Sequence, residues 1–303
     1  MRTIPKRLAA IATFLAASAA LAGLVLSGLY VDAPNWAQQA RGTDLATLFL
    51  AVPVLAIGLA LSTRGSSAGR LAVVAGLLCL VYNYAIFAFA VALNPLTAVH
   101  IAIFGVSLWS LVLGGRAAVE GSFAAADRLN RRAAGGLLIG VAALFGLLWL
   151  GQIATTTTTG ILPPDLVKAG ISSNPVYALD LAFFLPLCAL AGIGLLRRNS
   201  AAAFAFPMLI WVALMGAGVV GGFLLMAAAA IRRSTRSMAF ILRGLRDGGR
   251  SGRARWLIRV GRGRSRPGSR TRHSDRRWRR PRVLGSDRRP LPSRGSRQRR
   301  RRP

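Results

Sequence analysis

The chain has 303 residues and a formal charge of +31, yet 53% of it is hydrophobic and its mean hydropathy is +0.48. Residues 231–303 hold 27 arginines, no lysine and three acids (Asp247, Asp275, Asp287), a net +24, which leaves +7 for the first 230 residues. This split excludes a uniformly basic soluble protein and a simple soluble enzyme. It divides the chain into an apolar body, 1–230, and an arginine-rich tail, 231–303.

About 20 apolar residues suffice for a helix to cross a bilayer core. Seven runs in the body approach or exceed that length: 8–29, 45–61, 71–93, 98–113, 134–153, 177–196 and 201–230. All are apolar around their whole circumference, as lipid-facing helices are. The fold class expected is therefore an all-α polytopic transmembrane helical bundle with seven visible spans. The first run follows Arg2, Lys6 and Arg7 as a signal peptide would, but it is long for a signal core and no small-residue cleavage site follows it, so it reads as an uncleaved span. Putting the N-terminus inside places eleven arginines and lysines on inner segments (Arg2, Lys6, Arg7, Arg64, Arg70, Arg116, Arg128, Arg131, Arg132, Arg197 and Arg198). Only Arg41 and Lys168 then fall outside. This asymmetry predicts a multi-pass protein of the cell membrane with a cytoplasmic N-terminus.

The excluded chemistries follow in chain order. Gly65-Ser66-Ser67-Ala68-Gly69 fits G-x-S-x-G, but it links two apolar spans and lacks the strand and the acid–histidine set that a nucleophile elbow needs. It reads as a turn. The two lysines, Lys6 and Lys168, lie in no phosphate loop. The last span carries no lysine for a retinal Schiff base. Two histidines cannot supply the paired ligands of a di-haem cytochrome. Cys79 and Cys188 are lone cysteines without ligand spacing and read as packing residues. No enzyme, metal or cofactor is expected.

Polar groups inside spans are costly and therefore informative. Tyr82, Asn83 and Tyr84 fall near the middle of the third run, and Asn94 ends it on the stripe of Asn83. His100 opens the fourth run, with Ser107 two turns deeper, and Asp180 lies one turn inside the sixth, next to Tyr177. Gln152 closes the fifth run and Asp44 opens the second on the same side. The sharper reading is an outward-facing pocket with a His100–Asp180 pair that binds a proton or a polar group. The plainer one is interfacial side chains and interhelical hydrogen bonds. The small-residue patterns Ala19-xxx-Gly23-xxx-Ser27, Gly136-xxx-Gly140 and Gly218-xxx-Gly222 predict close helix approach. The threonine-rich segment 155–175 is expected as an outer loop, with a short helix from Pro164.

The tail opposes this topology, because seven spans would export its arginines. Three readings stand: a re-entrant hairpin over 201–231, bent at Gly216, Gly218, Gly221 and Gly222; a genuine disordered tail; or a GC-rich gene read in the wrong frame. A genuine tail would attract anionic lipid or bind nucleic acid non-specifically, with Trp256 and Trp278 the main aromatics available for stacking.

Two segments carry a resemblance. Tyr82-Asn83-Tyr84-Ala-Ile-Phe-Ala-Phe-Ala-Val-Ala-Leu-Asn94-Pro95 resembles a third-span motif of an uncharacterised prokaryotic family of polytopic membrane proteins. Asn174-Pro-Val-Tyr177-Ala-Leu-Asp180-Leu-Ala-Phe-Phe-Leu-Pro186, with Leu195-Leu-Arg-Arg198, resembles that family's sixth span and the loop after it. The resemblance covers roughly residues 40–225. It implies a bundle of about eight spans, the tail standing where the last would be, and it favours Asn83, Asn94, Tyr177 and Asp180 as site residues. It implies no activity, cofactor or substrate. The function classes left are a protein that binds or moves a small polar ligand or proton, and a non-catalytic scaffold or accessory subunit with a membrane partner.

Overall fold

The computed structural model describes residues 3–120 and 129–224, with 227, 228, 230–232, 235, 238 and 239. The chain divides into two compact units, Met1–Ile241 and Leu242–Pro303, and every described residue belongs to the first. The arginine-rich tail beyond 241 lies outside the described residues, as does the segment 121–128.

Among the described residues every element is helical, and seven helices are long and apolar enough to cross a membrane. They are α1 (Thr3–Val25), α2 (Pro34–Thr63), α3 (Ser67–Ala90), α4 (Thr97–Glu120), α5 (Arg131–Thr159), α7 (Pro175–Arg197) and α8 (Ser200–Leu224). A short α6 (Pro164–Ala169) precedes α7. This is an integral membrane helical bundle. The end at which α1 starts is called proximal below, and the other distal.

Several boundaries differ from those the apolar runs suggest. α2 starts at Pro34, not near residue 45, because Pro34 presets the first turn although Asn35, Gln38, Gln39 and Arg41 follow it. Its polar first turns are anchored by the Trp36 indole N–H, which donates to the Ala90 carbonyl at 3.0 Å. α3 ends at Ala90, so Asn94 stands in the following turn and shares no helical stripe with Asn83. The threonines expected in a loop belong to α5, where four hydroxyls, from Thr155, Thr157, Thr158 and Thr159, bond carbonyls one turn back before Gly160 closes the helix at φ 70°. The segment from Ser200 is one continuous helix to Leu224, which removes the hairpin reading. Ser66 caps α3 by accepting the Gly69 N–H, so the G-x-S-x-G string is a helix-to-helix turn.

Two spans are not regular. α2 carries a π-helical turn at Thr47–Ala51 and α7 one at Asp180–Phe184. Each is followed by a proline, Pro53 and Pro186, near the start of the continuing α-helix. A proline within a helix has no N–H for the carbonyl four residues earlier and clashes with it. A wider turn just before it relieves the crowding, and such turns recur at functional sites.

α3 is the axis of the bundle: 72% of its span is buried, against 39% for α1 and 11% for α5. α1, α2, α3 and α4 close a ring in which α1 touches α2 and α4, and α3 touches α2 and α4. α1 enters this ring through an all-small face of Ala9, Ala12, Ala16, Ala19, Ala20 and Gly23. At its proximal end Ser110 donates to the Pro5 carbonyl at 2.9 Å and Lys6 to that of Ser62 at 3.2 Å. α5 packs extensively on α7, where Gly135 and Gly192 bring the backbones together. The expected Gly136-xxx-Gly140 pattern instead faces open space.

Candidate functional site

The distal half of the bundle holds two buried carboxyls, on opposite sides of α3. Tyr82 and Tyr84 are two residues apart, about 200° around a helix of 3.6 residues per turn, so they point to different neighbours.

The first site is built on α7. Asn174 accepts the Val176 N–H at 3.0 Å and Pro175 starts the helix, so Tyr177 and Asp180 are set one turn apart at its head. The π turn then brings Asp180 and Phe184 to the buried side together. Asp180 Oδ2 accepts from the Trp149 indole N–H of α5 at 2.7 Å. Depth explains the match: Trp149 and Asp180 lie about 27 and about 26 Å along their helices from the proximal ends, at about 1.5 Å per residue. Around the carboxyl stand Tyr82, edge-on to Phe184 (5.0 Å between centroids) and to Trp211 (5.6 Å), while Phe184 stacks on Trp211 at 4.7 Å and 16°. The Tyr82 phenol lies beside the same carboxyl. Asp180 is 6% exposed, and its Oδ1 has no hydrogen-bond partner. Nor does the buried Trp211 Nε1. Tyr177 stacks near Trp149 at 5.1 Å and donates to Gln152 Oε1 of α5.

The second site is built on α2. Asp44, 1% exposed, accepts from the Tyr30 hydroxyl at 2.6 Å. Burial, with the Asp44 carboxyl beside it, pushes the Tyr30 phenol well above its ordinary value, so this hydroxyl stays a donor. Gly23 lets α1 pass close by: a Cβ there would fall 2.0 Å from Asp44 Oδ2 and 2.7 Å from the Tyr30 hydroxyl. Tyr30 leans on Phe87, which packs on Tyr84 and on His100 at 4.7 Å. Tyr84 donates to the Ala16 carbonyl at 3.3 Å. His100 is fully buried and neither ring nitrogen has a hydrogen-bond partner, and the same holds for Thr47 Oγ1.

The expected His100–Asp180 pair therefore does not form, because α3 stands between them: His100 packs against Tyr84 and Phe87, and Asp180 against Trp149 and Tyr82. Asn83, expected to make a specific contact at mid-depth, spends its amide on Cys79 of its own helix at 3.6 Å. Asn94 shapes the turn before α4, accepting from Leu96 N–H and donating to the Ala92 carbonyl. The described cavities lie elsewhere. One of 690 Å³ is bordered by α3, α4 and α8 near Arg116 and Ser200, and a second of 330 Å³ lies between α5 and α7. Neither is lined by the expected site residues. Trp149, Trp211 and Tyr30 are the participants that the sequence did not single out, and Tyr82, at mid-depth beside Asn83, joins them.

Removing either partner of the Tyr30–Asp44 bond leaves a buried polar group unsatisfied, at a cost of about 1–3 kcal/mol. Tyr30→Phe and Gly23→Ala are each expected to lower the thermal stability of detergent-solubilised protein by that order. Because both act on one bond, the double variant should fall short of the sum. Strict additivity in that cycle would show that Gly23 and Tyr30 act separately.

No family model matches the chain, and neither the curated proteins nor the solved structures contain a match to it.

Proposed function

We propose that this integral membrane protein binds a proton at Asp180 and couples its arrival and departure to a change in the kinked helix α7, as a proton-coupled transporter or sensor. One observation carries the reading. Asp180 is a buried carboxyl on a π turn, with Oδ2 held by Trp149, the Tyr82 phenol beside it and Oδ1 without a hydrogen bond, and no Lys or Arg pairs with it among the described residues. A charge buried without a counter-charge costs several kcal/mol. The smallest cation that neutralises it without displacing Tyr82, Trp149 and Phe184 is a proton. Neither the 690 Å³ nor the 330 Å³ cavity is lined by Asp180 itself, although the smaller one reaches its neighbour Leu181. The placement of loop arginines supports a cell-membrane protein with a cytoplasmic N-terminus, which makes the Asp180 side external. Reconstitution into vesicles with an internal pH dye tests the reading, through the rate at which a pH gradient decays with and without Asp180.

A second reading has its own support. α5 is only 11% buried and exposes Leu137, Leu144, Leu147 and Leu150, a face that suits a partner helix as well as lipid. A non-catalytic accessory subunit would use that face, and its Asp180 would be purely structural.

A further inference from the structure

The two irregular spans share one register. In α2 the π turn begins at Thr47, Pro53 follows six residues later, Arg64 eleven after that, and Ser66 caps the next helix two further on. In α7 the π turn begins at Asp180, Pro186 follows six residues later, Arg197 eleven after that, and Asn199 caps the next helix two further on. Both caps use a side-chain oxygen to accept a backbone N–H. Each hairpin is preceded by a helix that carries a basic pair at its proximal end, Lys6-Arg7 in α1 and Arg131-Arg132 in α5. Because α1 and α5 both run from the proximal end, the halves are related as parallel repeats, the arrangement whose axis lies along the membrane normal.

The shared register places Thr47 on Asp180 and Asp44 on Tyr177. Each half thus holds one carboxyl and one hydroxyl three residues apart, the second of each pair opening the π turn, in exchanged order; the pair lies about three turns into α2 but at the head of α7. In both, the carboxyl takes one hydrogen bond from an aromatic donor outside its own helix, Tyr30 or Trp149. In both, buried polar atoms are left without a partner: Asp180 Oδ1 in one, Thr47 Oγ1 and both His100 nitrogens in the other.

From this we infer that Asp44, with Tyr30 and Thr47, is a second proton-binding carboxyl, standing in the other half one turn from the position that corresponds to Asp180. The ligand class rests on the proton reading of Asp180, while the repeat itself stands on register and geometry. The titratable or charged groups around Asp44 are Tyr30 on the connecting segment, Arg41 on α2 itself and Tyr84 on α3, with His100 on α4 beyond them. α1 contributes Gly23, and α8 approaches with Gly218 against Ala46. Around Asp180 they are Tyr82 on α3 and Cys188 on α7 itself, with Cys79 behind Tyr82; α5 brings the neutral Trp149, and Trp211 of α8 packs on Tyr82 and Phe184.

The test is infrared difference spectroscopy of the protonated-carboxyl stretch, on full-length protein in nanodiscs titrated with acid. Wild type is compared with Asp44→Asn, Asp180→Asn and Tyr30→Phe. The expected result is one band lost in Asp44→Asn, a different band of about equal amplitude lost in Asp180→Asn, and the first band alone shifted in Tyr30→Phe. An Asp44→Asn spectrum identical to wild type overturns the inference while leaving the Asp180 reading intact. A loss in Asp44→Asn with none in Asp180→Asn overturns the Asp180 reading and keeps Asp44. Should Asp44→Asn fail to fold, Tyr30→Phe decides: an unshifted spectrum overturns the inference.

Discussion

Vesicles carrying the Asp180→Asn protein are expected to lose an imposed pH gradient no faster than empty vesicles. The wild-type rate should exceed theirs by about tenfold or more, the factor that corresponds to about 1.4 kcal/mol of barrier. Asparagine keeps the shape of the side chain and an oxygen for the Trp149 indole N–H, so the Phe184–Trp211–Tyr82 packing survives. What it removes is the titratable oxygen. Asp180→Glu retains the acid but displaces it by one methylene from Trp149, and an intermediate rate is expected. Trp149→Phe keeps the ring and removes the donor, so it should alter the pH dependence of flux more than the amount of protein inserted. Equal rates for wild type and Asp180→Asn would defeat the proton reading and favour the accessory subunit.

The largest structural effect is expected at Gly69, where α2 and α3 meet backbone to backbone. A Cβ at Gly69 would stand 2.6 Å from Leu61 Cβ, 2.7 Å from Ser62 N and 2.9 Å from the Gly58 carbonyl. Two of the three obstacles are main chain, so no rotamer change relieves them. Overpacking of this kind costs about 1–3 kcal/mol even where side chains can yield. Gly69→Val should therefore cost about 3 kcal/mol or more and sharply reduce the yield of monodisperse protein. Gly105→Ala is the control, since nothing stands within 4 Å of its Cβ, and it should be close to neutral. Gel filtration with thermal unfolding in detergent separates the two, and a stable Gly69→Val protein would refute the close approach of the hairpin.

The apolar runs reveal the seven spans because the bilayer sets their length whatever they pack against. Their ends were harder to read. Asn35, Gln38, Gln39 and Arg41 hide the first turns of α2, whose signal was Pro34 alone. Thr155, Thr157, Thr158 and Thr159 resemble a loop in composition, yet each hydroxyl is satisfied by its own helix, which lets a threonine run continue as helix. For the site, depth correctly brought Asp180, Tyr177 and Gln152 to one level, but depth does not say which face of α3 a residue meets. That missing angle is why depth alone pairs His100 with Asp180, which α3 separates. Trp149 was within reach of the same arithmetic, since it lies at the level of Asp180 on the neighbouring span. The π turns left a fainter trace, Pro53 and Pro186 inside their apolar runs, and Pro207 in the last run shows that a proline alone does not mark one.

The uneven support of α5 has a mechanical meaning. α1 is wedged between α2 and α4, whereas α5 rests chiefly on α7, through the Gly135–Gly192 seam and the Trp149 indole. Tilting α5 away from α7 would also part Gln152 from Tyr177, and the same tilt withdraws the Trp149 donor from Asp180. Trp149 is thus both part of the seam and a donor to the acid: a swing of α5 takes that hydrogen bond away, and an ionised Asp180, which accepts more strongly, would hold α5 the closer.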